Sequence, residues 1–259
     1  MINFKNKTAY KFDDLLEIMT ILRGENGCPW DIEQTHESIR KNFIEEVYEA
    51  CEAIDLKDSI LLCEELGDVL LQVVFHADIA KKDGQFNIDD VCDGVCKKLI
   101  LRHPHIFGDT IAATSAEVLE NWDAIKKVEK GQKTYSDSMD QVAKSLPALV
   151  YAEKVQKKAK KAGFDWPDIS GALDKIDEEK TELIAAMNGE GSCEEELGDL
   201  LFAVVNTARF LGIDPEEALS RSSEKFVRRF KTVEQSAGRD LKEMTLEEMD
   251  KLWEQAKSE

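Results

Sequence analysis

The chain has 259 residues, 42% of them apolar and 34% charged, with 53 Asp+Glu against 34 Lys+Arg and a formal net charge of −19. That balance excludes a nucleic-acid surface as the main business, because phosphate recognition leaves a basic footprint. No run of about 18 apolar residues is present, so no membrane span is expected. The polar start Met1–Tyr10 lacks the apolar core of a secretory leader, so the expected location is the cytoplasm.

Apolar residues at helical spacing predict helices over 11–22, 38–53, 59–80, 89–101, 115–129, 141–161, 171–186, 194–211, 215–235 and 245–257. In the third of these, Leu62, Leu66, Val69, Leu70, Val73, Val74 and Ala77 share one face; Leu197, Leu200, Leu201, Val204, Val205 and Ala208 do the same in the eighth. Asp214-Pro215 is a start signal, a cap residue before a first-turn proline. Strand alternation and two-residue turn signals are absent, so the expected class is all-α. The basic cluster at Ala159–Ala162 is expected to be a solvated helix face. Cys28, Cys51, Cys63, Cys92, Cys96 and Cys193 form no Cys-x-x-Cys pair, which suits a reducing compartment. Cys92 and Cys96 with His103 and His105 lack a common zinc spacing.

The chain also repeats itself. Glu45-Glu46-x-x-Glu49 recurs as Glu178-Glu179-x-x-Glu182 at an offset of 133 residues, and Glu65-Leu66-Gly67-Asp68 as Glu196-Leu197-Gly198-Asp199 at 131. Lys98-x-x-x-Arg102 matches Lys225-x-x-x-Arg229 at 127, and Trp122-x-x-x-Lys126 matches Trp253-x-x-x-Lys257 at 131. The Gly27–Asp31 segment likewise resembles Gly163–Asp168. Five pieces in one order at nearly one offset predict two related helical domains, 1–135 and 136–259, joined through the polar stretch after Gly131.

Residues three or four apart share a helix face, so Glu46 with Glu49 and Glu65 with Asp68 form two acidic pairs. If the two helices pack antiparallel, four carboxylates converge and repel unless a cation joins them. All-oxygen ligation suits Mg²⁺ or Mn²⁺. The same holds for Glu179, Glu182, Glu196 and Asp199. Gly67 is expected to let a neighbouring helix or ligand come close. A di-iron site would need two Glu-x-x-His motifs, and only Glu33-x-x-His36 is present. Mg²⁺ held by few carboxylates often leaves positions for phosphate oxygens. Lys225 and Arg229, one turn apart, can meet such oxygens; Lys175 lies on the face of Glu178 and Glu179; Trp253 and Lys257 offer a stacking ring and another cation.

Together with Cys28-Pro29-Trp30-Asp31, Arg102-His103-Pro104-His105 and Lys225-Phe-Val-Arg-Arg229-Phe230, the duplicated acidic motifs resemble the MazG nucleoside triphosphate pyrophosphohydrolases in their two-domain form, over nearly the whole chain. The resemblance implies an all-α NTP pyrophosphohydrolase fold of two related helical bundles, Mg²⁺ dependence, homodimers, and conversion of an NTP to an NMP plus pyrophosphate. It implies metal ligands Glu179, Glu182, Glu196 and Asp199, phosphate-facing Lys225, Arg228 and Arg229, and Trp253 against the nucleobase. The first-domain counterparts are Glu46, Glu49, Glu65, Asp68, Lys98, Arg102 and Trp122. Lys175 aligns with Asn42, so the second domain is expected to be better equipped. Glu178 and Glu45 border the ligand face and are the candidates for holding or deprotonating the attacking water. Two further readings stand beside this one: a pyrophosphatase dedicated to a dUTP-type or modified nucleotide, and a non-catalytic nucleotide-binding scaffold.

Overall fold

The computed structural model describes residues 4–257; the first three residues of the Met1–Tyr10 segment lie outside them. Every regular element among the described residues is helical. The chain divides into two compact units, Met1–Ile125 and Lys126–Glu259. The division falls inside the helix Ser115–Glu129, ahead of the polar stretch where the sequence places it.

The first unit runs through α1 (Phe12–Leu22), α2 (Pro29–Glu33), α3 (Arg40–Leu56), α4 (Ser59–Lys82), α5 (Ile88–Arg102) and the one-turn α6 (Pro104–Phe107) to α7 (Ser115–Glu129). Its frame is the α3–α4 pair, joined by Lys57 and Asp58 alone, so the two helices run antiparallel. Lys57 makes the turn in the left-handed region at φ 56°, and the Asp58 carboxylate caps α4 by accepting from the Ile60 and Leu61 amides. α1 and α5 pack on α4. The core joins Met19 of α1 to Val74, Phe75 and Ile79 of α4 and to Ile39, with Leu15, Leu16, Leu71 and Ile88 around it.

The second unit repeats the plan with α8 (Tyr135–Asp140), α9 (Ala148–Lys161), α10 (Ile169–Met187), α11 (Cys193–Leu211), α12 (Pro215–Ser236), a 3₁₀ turn at Leu241–Glu243, and α13 (Leu246–Ala256). The α10–α11 pair turns through Gly189 and Gly191, at φ 98° and 126°. α9 and α12 lie against α11, and α13 lies on α12. The helix expected over 141–161 starts only at Ala148. Pro147 stands before it at φ −49° and ψ 141°, and a proline both lacks the amide a helix needs and pushes its predecessor out of helical geometry. Gly171 has a packing reason, since a Cβ there would run into the Trp166 ring.

One buried ion pair ties each helix pair to the segment that precedes it. Arg23 is 4% exposed, donates from Nε to Asp78 of α4 at 2.7 Å and from Nη1 to the Asp31 carbonyl, and stacks 4.7 Å over Phe75. In the second unit Arg209 of α11 makes a two-pronged bond to Asp165, at 2.5 and 3.0 Å, and donates from Nε to Asn206. Asp78 and Arg209 occupy the same repeat position, but Asp165 aligns with Pro29 rather than Arg23, so each unit draws the other half of its ion pair from a different place. Replacing Arg23 by Met leaves the Asp78 carboxylate with Lys82 alone, at 3.6 Å. A loss of about 3 kcal/mol, the low end for a broken buried pair, is expected, read as a lower urea midpoint for the first unit's transition.

Candidate functional site

The α3–α4 pair brings Glu46, Glu49 and Glu65 together, and α10–α11 brings Glu179, Glu196 and Asp199 together; in each trio one oxygen per residue lies within 4.8 Å of the others. The fourth acid of each set, Asp68 or Glu182, stands close enough to act on its neighbours' charge. The antiparallel register sets this meeting: Glu46 and Glu49 are one turn apart on α3, and α4 runs back past them with Glu65 and Asp68.

The trios are electrostatically strained. Burial first, then the Asp68, Glu49 and Glu65 carboxylates, pushes Glu46 above the usual carboxylate range. Burial and then Glu49 and Asp68 raise Glu65; burial and then Glu182 and Glu179 raise Glu196. Glu179 is 3% exposed, and its Oε2 is buried without a hydrogen-bond donor. A buried carboxylate oxygen without a donor, facing two more carboxylates, fits a hard divalent cation. These residues can therefore hold Mg²⁺ or Mn²⁺.

The two units differ in what stands in for a cation. Lys175 reaches Glu179 at 2.5 Å and Glu178 at 2.9 Å, and those carboxylates hold its ammonium well above the usual lysine range. The first unit has Asn42 at that position, and Glu46 instead takes a hydrogen bond from Gln72, whose Oε1 is buried without a donor. Gln72 is a site residue the motif analysis missed; its position one turn beyond Asp68 was the available signal. Glu45 and Glu178 lie outside both trios. They are exposed, Glu45 paired with Lys41 at 3.0 Å and Glu178 with Lys175.

The cations and rings assemble separately and alike. Arg102 lies 6.0 Å over Trp122, and Arg229 lies 6.0 Å over Trp253. His103 adds its ring 5.9 Å from Trp122; Phe226 adds its own 5.1 Å from Trp253. Lys98 and Lys225 are exposed one turn before their arginines. Arg228 sits on another face of α12, beside Glu224, Val227 and Lys231, away from the Lys225–Arg229 row. Lys257 ion-pairs with Glu254. A feature that the motifs did not flag is an apolar cavity of about 440 Å³ walled by Phe164, Trp166 and Phe202, with Gln156, Asn206 and Arg209 at its edge. The close approach expected at Gly67 is not made by this chain: a Cβ at Gly67 or Gly198 would meet open space.

Residues 34–107 and 170–234 match the model of the MazG nucleotide pyrophosphohydrolase domain. A Thermotoga maritima protein named nucleoside triphosphate pyrophosphohydrolase/pyrophosphatase MazG is 47% identical over 95% of both chains. The nucleoside triphosphate pyrophosphohydrolase of Escherichia coli K12 is 44% identical over 95% of this chain and 97% of that one. YabN of Bacillus subtilis is 48% identical over 96% of this chain and 52% of its own length.

Raised carboxyls bind protons in the folded state that the unfolded chain has already lost, so their contribution to stability falls as pH rises through the ordinary value of 4.5 toward the raised one. Glu196→Gln removes that repulsion. In chelator-treated protein the variant is expected to melt above the parent near neutral pH, and the gain should vanish by about pH 4.5.

Proposed function

We propose, for a chain that belongs to the MazG family of nucleotide pyrophosphohydrolases, a divalent-metal-dependent hydrolysis of nucleoside triphosphates to monophosphate and pyrophosphate. The observation that carries the metal dependence is the buried Glu179 carboxylate, one oxygen of which has no donor, gathered with Glu196 and Asp199. Bound Mg²⁺ or Mn²⁺ supplies neutralisation of phosphate charge and a more acidic water.

The chain's own groups do the rest. Glu179, Glu182, Glu196 and Asp199 hold the ion in the second unit, and Glu46, Glu49, Glu65 and Asp68 in the first. Lys225 and Arg229 present positive charge to the phosphate tail, where charge builds on the departing pyrophosphate. Trp253, already fixed under Arg229, offers its ring to the nucleobase. Glu178 holds the attacking water and takes its proton. Lys175 makes the second unit the stronger site, since no ammonium occupies the matching place in the first.

No helix among the described residues is long and apolar enough to cross a membrane, and we place the substrate in the cytoplasmic nucleotide pool. The active form is a homodimer. Leu197, Leu201 and Val204 of α11 and Leu66 and Leu70 of α4 are 40–54% exposed, on helices that a second copy can complete into a bundle. Light scattering at micromolar concentration should give twice the 29.3 kDa chain mass; a monomer would refute the dimer alone.

Activity is tested by pyrophosphate release across a panel of NTPs, dNTPs and modified nucleotides. Glu179→Gln with Glu196→Gln should lower turnover by roughly 100-fold or more with the helical circular dichroism unchanged, and Glu46→Gln with Glu65→Gln by less. Equal turnover by the second-unit variant and the parent would sink this assignment. Turnover confined to one nucleotide would identify a dedicated house-cleaning enzyme instead.

A further inference from the structure

A cavity in the second unit of about 720 Å³ is lined by seven lysines, in a chain whose net charge is −19. Lys154, Lys157, Lys158 and Lys161 stand on one face of α9 at i, i+3, i+4 and i+7. Lys126 and Lys130 face them from the end of α7. Lys160 and Lys161 of the Ala159–Ala162 cluster are exposed, as expected of a solvated helix face, and that face also borders this cavity. Val142 and Leu146 give the basin an apolar side, and a low-dielectric wall strengthens any charge interaction beside it. Gln132 and Gln141, bonded to each other at 2.5 Å, line it as well.

Ordinary roles absorb only part of this charge. Helix dipoles favour cations in the last turn of α9, which covers Lys158, Lys160 and Lys161, and at the end of α7, which covers Lys126 and favours Lys130 just beyond it. They do not reach Lys154 or Lys157. Lys157 is paired with Glu153 at 2.6 Å, and Lys160 is 3.9 Å from an Asp165 that Arg209 already holds. Among the described residues, Lys130, Lys154 and Lys158 have no carboxylate within 4.0 Å. None of the lining residues is a carboxylate or cation of the site described above.

We propose that this basin is an accessory binding site for a linear polyphosphate anion, with the phosphate chain lying along the α9 face. Lysine ammoniums are point charges that suit phosphate oxygens without demanding one orientation. The overall negative charge opposes an extended nucleic-acid backbone. Binding here needs no divalent ion, because the cations are the protein's own.

The test is titration calorimetry of the full chain with inorganic tripolyphosphate in chelator and low salt, where the acidic trios hold no metal. Saturable binding at one site per chain is expected, weakening as salt is added. Lys154→Gln with Lys158→Gln should weaken it by about tenfold, whereas Lys225→Gln with Arg229→Gln should leave it unchanged. Thermal melting gives an independent reading. Removing two mutually repelling charges should raise the melting temperature of the basin variant without anion, and tripolyphosphate should stabilise the parent far more than the variant. Pyrophosphate release by the basin variant should equal the parent's when no other anion is present. Loss of binding in the Lys225 and Arg229 variant alone, binding that never saturates, or equal competition by a short DNA duplex would overturn the proposal.

Discussion

Two helices that carry carboxylates on facing sides stay together only if something opposes the repulsion between them. Here the opposition is built into the helix pair. α3 and α4 are joined by two residues, and α4 buries Val74, Phe75 and Ile79 against α1 on a side whose acid, Asp78, is neutralised by Arg23. The apolar burial sets the register, and the register decides which acids meet. Glu46, Glu49 and Glu65 are gathered by the same geometry that makes the core, so the site cannot relax without disturbing the fold. The protonation behaviour of Glu46, Glu65 and Glu196 is the residue of that conflict.

The buried ion pairs act at the other end of each helix pair. Arg23 with Asp78, and Asp165 with Arg209, anchor the segment before the acidic helices to the second helix of the pair. What the fold needs there is a buried, satisfied link, and each half supplies it with an arginine–carboxylate pair drawn from its own positions; removing one partner of such a pair is strongly penalised.

Much of this was legible in the residues. Helical spacing located most of the long helices to within a few positions, helped by an apolar stripe and, in several, a clear cap such as Asp58, Asp168 or Asp214. The acidic motifs were legible because a four-residue spacing on a helix is already a geometric statement. What sequence could not supply was side-chain company. Glu45 and Glu178 look alike in the motifs, yet Glu45 pairs with the exposed Lys41 while Glu178 shares Lys175 with the buried Glu179. Gln72 enters the site through a hydrogen bond that no motif records. Arg228 adjoins Arg229 in the chain but faces elsewhere on the helix. The break at Pro147 was readable, but an apolar, basic stretch around it masked the signal. The lysine basin was hidden because its two walls are far apart in sequence.

Gly67 and Gly198 occupy the same place in the two halves, each inside a long helix, and each faces empty space. Glycine within a helix is disfavoured by about 1 kcal/mol relative to alanine, and no contact within this chain offsets that. At these two atoms the interests of the isolated fold and of the assembled, loaded molecule are opposed. A screen that selects only for heat resistance would drift toward alanine at both positions, and would register the change as an improvement whatever became of access to the acidic face.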